Sequence, residues 1–165
     1  IESEHAILEP LHARADWVID TTELNIHQLR NQVWRCVGQE SGAMTIVLES
    51  FAFKRGVPQG VDFIFDARIL PNPYWVKSLR DFTGLDDPVR QWLENDDSVK
   101  SMVADISGFL EKWLPEFQAS QRSYVTIGVG CTGGLHRSVY LISRLSETMA
   151  ARFDNVLVYH RELQG

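Results

Sequence analysis

Tyr124-Val125-Thr126-Ile127-Gly128-Val129-Gly130-Cys131-Thr132-Gly133-Gly134-Leu135-His136-Arg137-Ser138 reads as a strand, a glycine-rich loop and the start of a helix. Tyr124 to Gly130 is apolar enough for a buried strand. A helix is expected over residues 137–152. The first amides of a helix have no partner inside it, and its dipole adds positive potential there. An oxyanion at that point accepts several N–H bonds at once. Gly133 and Gly134 let the backbone come close to such an ion. Arg137 brings a planar fork suited to phosphate, His136 a titratable donor, and Thr132 and Ser138 hydroxyls. The stretch therefore predicts a phosphate or phospho-ligand site on Cys131, Thr132, Gly133, Gly134, His136, Arg137 and Ser138. The plain alternative is an ordinary helix start capped by Ser138, with Arg137 on the surface.

Upstream, Met44 to Phe51 is β-rich, and Lys54 to Gly60 is a loop by its Gly and Pro content. Val61 to Arg68 alternates apolar and polar, then meets Leu70-Pro71-Asn72-Pro73, where proline stops a strand. Helices are expected over residues 87–95 and 97–118. In the second, Val99, Met102, Val103, Ile106, Phe109, Leu110, Trp113 and Leu114 make one broad apolar stripe, which Pro115 should kink or end. A short strand, Val156 to Tyr159, precedes His160-Arg161. Alternating strands and helices predict an α/β domain with a largely parallel sheet flanked by helices.

Residues 1–42 read differently. Ala15 to Asp20 looks like a short buried strand ending in a carboxylate. Ile26, Leu29, Val33 and Val37 then fall at helical spacing, which predicts a helix over residues 24–37. One strand and one helix cannot cover each other's apolar faces, so this piece needs a partner outside the sequence. Cys36 to Gly42 is the expected linker, which places the second domain at residues 43–165.

The composition, 44% apolar and 23% charged, suits an ordinary globular core. A net charge of −6 excludes a bulk polyanion binder, so nucleic-acid contact requires a local basic patch. Residues 1–42 hold three of the 16 Lys/Arg and seven of the 22 Asp/Glu, leaving 13 and 15 beyond, so the second part is near neutral. Two cysteines, Cys36 and Cys131, make no metal-ligand spacing and suit a reduced, cytoplasmic chain. No apolar run reaches membrane-spanning length, and the start, Ile1-Glu2-Ser3-Glu4-His5, is no signal peptide.

Cys131 and Arg137 also fit Cys-x5-Arg-Ser, the phosphate loop of cysteine-dependent phosphatases, in which a thiolate attacks phosphorus. Such enzymes place His directly before the Cys, where this chain has Gly130. They also need a general acid, for which Asp66 or Asp81 would have to serve. A small buried residue in the cradle is the ordinary reading of Cys131. The loop has no Gly-Lys-[Ser/Thr] and so no Walker A lysine.

Gly130 to Tyr140, Gly-Cys-Thr-Gly-Gly-Leu-His-Arg-Ser-Val-Tyr, resembles the C-terminal signature of the RapZ/YvcJ family. Glu49 to Gly56 (Glu-Ser-Phe-Ala-Phe-Lys-Arg-Gly), Phe65 to Pro73 (Phe-Asp-Ala-Arg-Ile-Leu-Pro-Asn-Pro), Thr83-Gly84-Leu85-Asp86 and His160-Arg161 fit in the same order. Ala15 to Thr21 and Leu24 to Arg30 resemble the end of the family's N-terminal domain. The resemblance implies a C-terminal domain like a phosphofructokinase subdomain. It also implies a preceding P-loop domain that binds and hydrolyses ATP or GTP and is missing here. Enterobacterial members are RNase adapters. They bind small regulatory RNA, present it to RNase E, sense glucosamine-6-phosphate and assemble as homo-oligomers. By position, the phosphosugar pocket would use Cys131, Thr132, Gly133, Gly134, His136 and Arg137. Tyr74 stands where the family often has His. A phenol donates a hydrogen bond but does not titrate near neutral pH. Lys54, Arg55, Asp66, Arg68, Arg122, His160 and Arg161 are candidates for the pocket or an RNA face. Their plain alternatives are solvated charge for Lys54 and Arg55, mutual pairing for Asp66 and Arg68, and a strand flank for Arg122. Glu162-Leu163-Gln164-Gly165 does not match the basic tail of enterobacterial members, so weaker RNA binding is expected.

Overall fold

A computed structural model describes residues 14, 15, 18–22, 29, 33 and 44–163. The chain divides into two compact units, Ile1–Gly42 and Ala43–Gly165. In the first, Leu29 and Val33 are helical, and the rest of the expected helix over 24–37 lies outside the described residues. The expected buried strand does not form at Val18, Ile19 and Asp20, which are irregular, with Val18 58% exposed. A parallel strand is held by neighbours on both edges and helices on its faces, so its apolar residues alone do not specify it. Asp20 instead turns back on Thr22, accepting both its N–H and its hydroxyl.

The second unit runs β1 (Thr45–Ala52), β2 (Phe63–Asp66), α1 (Asp87–Glu94), α2 (Asp97–Ala119), β3 (Tyr124–Cys131), α3 (Arg137–Ala150) and β4 (Val156–His160). The four strands form one sheet in the order β2-β3-β1-β4, and every pair is parallel. Ile46, Leu48 and Phe51 of β1 and Val125, Ile127 and Val129 of β3 are fully buried, as central parallel strands require. Ile106, Leu110 and Leu114 of α2 and Leu141, Ile142, Leu145 and Met149 of α3 complete the same core. Phe109 of α2 packs edge-on against Phe63 and Phe65 of β2.

Local chemistry sets the element ends. The Asp96 carboxylate caps α2 by accepting from Ser98 and Val99. Pro88 stands in the first turn of α1, where its missing N–H costs nothing. Pro115 does not end α2, which runs on to Ala119. The stripe through Leu110 and Leu114 is buried in the core, and that packing outweighs one lost backbone bond. The strand expected over Val61 to Arg68 keeps only Phe63–Asp66. It gives way to a 3-10 turn, Ala67–Ile69, because the Asp66 carboxylate accepts the Arg68 N–H. Parallel strands bring all their carboxyl ends to one side, which gathers Ala52, Asp66, Cys131 and His160 at one edge of the sheet.

Candidate functional site

Four chain segments meet at that edge: the 3-10 turn Phe53–Arg55 after β1, the turn Ala67–Ile69 after β2, the loop between β3 and α3, and the turn after β4. Clearance in β3 allows this. A Cβ on Gly130 would lie 2.5 Å from both Phe51 Cζ and Phe53 Cε2, so only glycine fits beneath these rings. Phe53 in turn carries the Arg68 guanidinium, 4.0 Å above its ring centroid. Gly130 is thus a notch for aromatic rings.

The loop is held from inside by sulfur. The Gly134 N–H donates to Cys131 Sγ at 3.2 Å, and Ser138 Oγ lies 3.2 Å from the same atom. Cys131 is 2% exposed and Ser138 fully buried. Ser138 therefore faces Cys131 and does not cap α3. The cap position belongs to His136, whose side chain makes no capping bond. Among the described residues, the first amides of α3 thus gain no acceptor from the cap side chain. Gly134 has φ +71°, and a Cβ there would lie 2.3 Å from Glu162 Cγ. Gly133 is the opposite case: the nearest atom to a Cβ there is Lys54 Nζ, at 4.0 Å.

Arg137 is 4% exposed. One terminal nitrogen donates to the carbonyls of Arg68 and Leu70 at 2.9 and 3.0 Å, and the other to Thr132 Oγ1 at 3.3 Å. Its Nε has no partner among the described residues. Among the described residues no carboxylate pairs with it directly. Asp66 carries negative charge nearby but spends it on Arg68, with three side-chain bonds of 2.6 to 2.9 Å. Arg68 holds the Asp66 carboxyl below the usual carboxylate range, with a smaller contribution from Arg137. Asp66 is therefore held toward its charged form.

His136 is buried, and Nε2 has no partner among the described residues. Burial pushes it below the ordinary histidine range, and the backbone of Arg80 and Phe82 offsets this in part. A neutral ring braced by that backbone helps shape the loop but adds no cation to it. The segment is fixed by Gly84, whose N–H donates to Leu135 O at 2.8 Å. A Cβ on Gly84 would lie 2.2 Å from His136 O, so the Thr83-Gly84-Leu85-Asp86 motif is a close-packing seat for the start of α3.

The remaining candidates fall in three places. Lys54 and Arg55 stand over the loop, and Arg55 Nε pairs with Glu162 at 2.9 Å. Tyr74 is half exposed, with the Arg80 guanidinium 4.8 Å from its ring centroid. His160 and Arg161 are tied to the end of β1: His160 Nδ1 lies 2.8 Å from Ser50 Oγ, and Arg161 lies 3.5 Å from the Glu49 carboxylate. Burial pushes His160 down and Glu49 up, with Arg161 opposing the latter. Arg122 is not part of this group. It precedes β3, at the other end of the sheet, and pairs with Asp62, whose second oxygen accepts the Thr126 N–H at 2.8 Å. Sequence reasoning missed Phe53, Gly84 and Glu162. The aromatic pair Phe51 and Phe53 beside a glycine-bearing strand was the available signal for the first.

The sequence profile of the RapZ C-terminal domain matches residues 44–164. The chain belongs to the RapZ family. It is 51% identical over 164 residues to a protein of Ectopseudomonas mendocina (strain ymp), covering 99% of this chain and 58% of that protein. A Saccharophagus degradans protein is 48% identical over 165 residues, covering 99% and 57%, and a Pseudomonas fluorescens (strain SBW25) protein is 49% identical over 164, covering 99% and 58%. All three are named nucleotide-binding proteins. The chain spans less than three fifths of their length. Among the described residues no cluster of His, Cys, Asp or Glu could hold a metal ion, and no helix is long and apolar enough to cross a membrane.

Proposed function

We propose that residues 43–165 form a regulatory module that binds a phosphosugar at the loop between β3 and α3 and uses the surrounding cations to hold RNA. The observation that carries the reading is Arg137: a buried guanidinium with, among the described residues, no directly paired carboxylate, at a helix start that His136 does not cap with its side chain. A buried cation gains from a counter-ion, and uncapped amides gain from an acceptor. A phosphoryl group on the open flank of Gly133, under Lys54, supplies both. The sugar end then faces Tyr74, Asp66 and Arg68, which offer neutral and charged hydrogen-bonding groups. In line with family members, the ligand is glucosamine-6-phosphate, and the RNA is a small regulatory RNA presented to RNase E. Nucleotide binding and hydrolysis belong to the part of the whole protein beyond this domain, and assembly as a homo-oligomer brings several RNA faces together.

Calorimetry with glucosamine-6-phosphate, inorganic phosphate and ATP tests the ligand: the sugar phosphate should bind most tightly, and preference for ATP would contradict the reading. Filter binding of structured RNA at several salt concentrations tests the second half, with affinity expected to fall steeply as salt rises. A flat response would contradict it.

A further inference from the structure

Glu162 supplies a negative charge beside a loop otherwise suited to anions. Its side chain is only 5% exposed and its Oε2 lies 2.9 Å from Arg55 Nε, an ion pair without hydrogen-bond geometry, while Arg55 is 68% exposed. Its stem lies against Gly134, as the 2.3 Å approach of a Cβ there shows. The turn that carries it is anchored, because the Arg161 N–H donates to Ser50 O and the Leu163 N–H to His160 O, each at 3.1 Å. The carboxylate is thus fixed next to the loop and shielded from solvent, where salt screens it poorly. It faces the loop from the β4 side, while Lys54 faces it over Gly133. A phosphoryl group arriving there meets repulsion from Glu162 and competes with it for Arg55, whose fork suits either partner.

We infer that Arg55 and Glu162 form a charge clasp that holds down the affinity of the loop for anions, so that anion binding and the clasp exclude one another. This rests on the reading of the loop as a phosphate site. With the clasp closed the loop binds simple anions only weakly. A ligand that gains contacts elsewhere, or that carries a cation to meet Glu162, is favoured over bare phosphate. If Glu162 were only a strut for the last turn, its charge would be immaterial and its loss would loosen the loop.

The test is titration of inorganic phosphate into the 165-residue chain and its Glu162→Gln and Arg55→Gln variants. The clasp predicts opposite signs: Glu162→Gln binds phosphate about three- to tenfold more tightly, and Arg55→Gln more weakly by a similar factor. Changes in the same direction, or none in either variant, overturn it. Tighter phosphate binding by Glu162→Gln in a chain that binds no glucosamine-6-phosphate would uphold the clasp while contradicting the proposed function. Wild-type phosphate binding that neither variant alters would overturn the clasp and leave the proposed function standing. If Glu162→Gln does not fold, Arg55→Gln decides alone, and unchanged or tighter binding by it overturns the clasp.

Discussion

The two ends of the sheet each carry an arginine, and they differ in how its charge is met. At the amino end Arg122 pairs with Asp62, and Asp62 in turn accepts the Thr126 N–H, so the network closes on itself. At the carboxyl end Arg137 is more deeply buried, yet among the described residues its hydrogen-bond partners are two carbonyls and a hydroxyl. Carbonyls occupy one end of its fork, leave Nε without a partner among the described residues, and do not neutralise its charge. One end is a finished structural joint, and the other stores positive potential that an anion can use.

The largest difference should come from removing each arginine in turn. Arg137→Ala should abolish measurable phosphate binding and cost about 2–4 kcal/mol of stability, because buried carbonyls lose their donor. Arg122→Ala should leave phosphate affinity within a factor of two and cost about 1 kcal/mol, as for a partly exposed ion pair. Calorimetry and urea unfolding read both. Equal loss of binding in the two variants would erase the contrast.

Gly134 and Gly133 separate structure from binding within the carboxyl end itself. Gly134→Ala meets Glu162 and a positive φ, and should cost about 1–3 kcal/mol in urea unfolding. Gly133→Ala has room for its methyl and should change stability by less than about 0.5 kcal/mol. It should nevertheless weaken phosphate several-fold, because the methyl stands where the ligand approaches. Lys54→Gln should weaken phosphate about threefold with no change in unfolding midpoint, and a shifted midpoint would reassign Lys54 to the fold.

The smallest expected effect is on pH. Burial lowers His136 and His160, so below about pH 6.5 the unfolded chain takes up protons that the folded chain does not. Stability present above that value should therefore erode as pH falls through it. Urea midpoints at pH 7.5, 6.5 and 5.5 should descend, and less steeply in His136→Gln. An unchanged slope in that variant would show that His136 is not held neutral.

Much of the carboxyl end was legible in the sequence. Tyr124 to Gly130 announced a buried strand, and the glycines before Arg137 announced a helix start. The parallel α/β architecture followed from the alternation of elements. Pairings across the chain were not legible. That Ser138 turns to Cys131, that the Arg137 fork reaches Arg68 and Leu70, or that Glu162 lies on Gly134 depends on contacts between residues far apart in sequence or on the path of the loop. Where Arg122 would lie was not legible, because a charge beside a strand carries no mark of which end of the sheet it will reach. Val18 and Ile19 looked like a strand because apolar residues record a preference for burial and not the presence of a neighbour to provide it.

The most direct test of the contrast between the ends is an amide NMR titration of the chain with inorganic phosphate. The account predicts saturable shifts at Gly133, Gly134, Leu135 and the first amides of α3, with Asp62, Arg122 and Thr126 unmoved. Shifts of equal size at both ends, or none at the glycine loop at saturating phosphate, would contradict it.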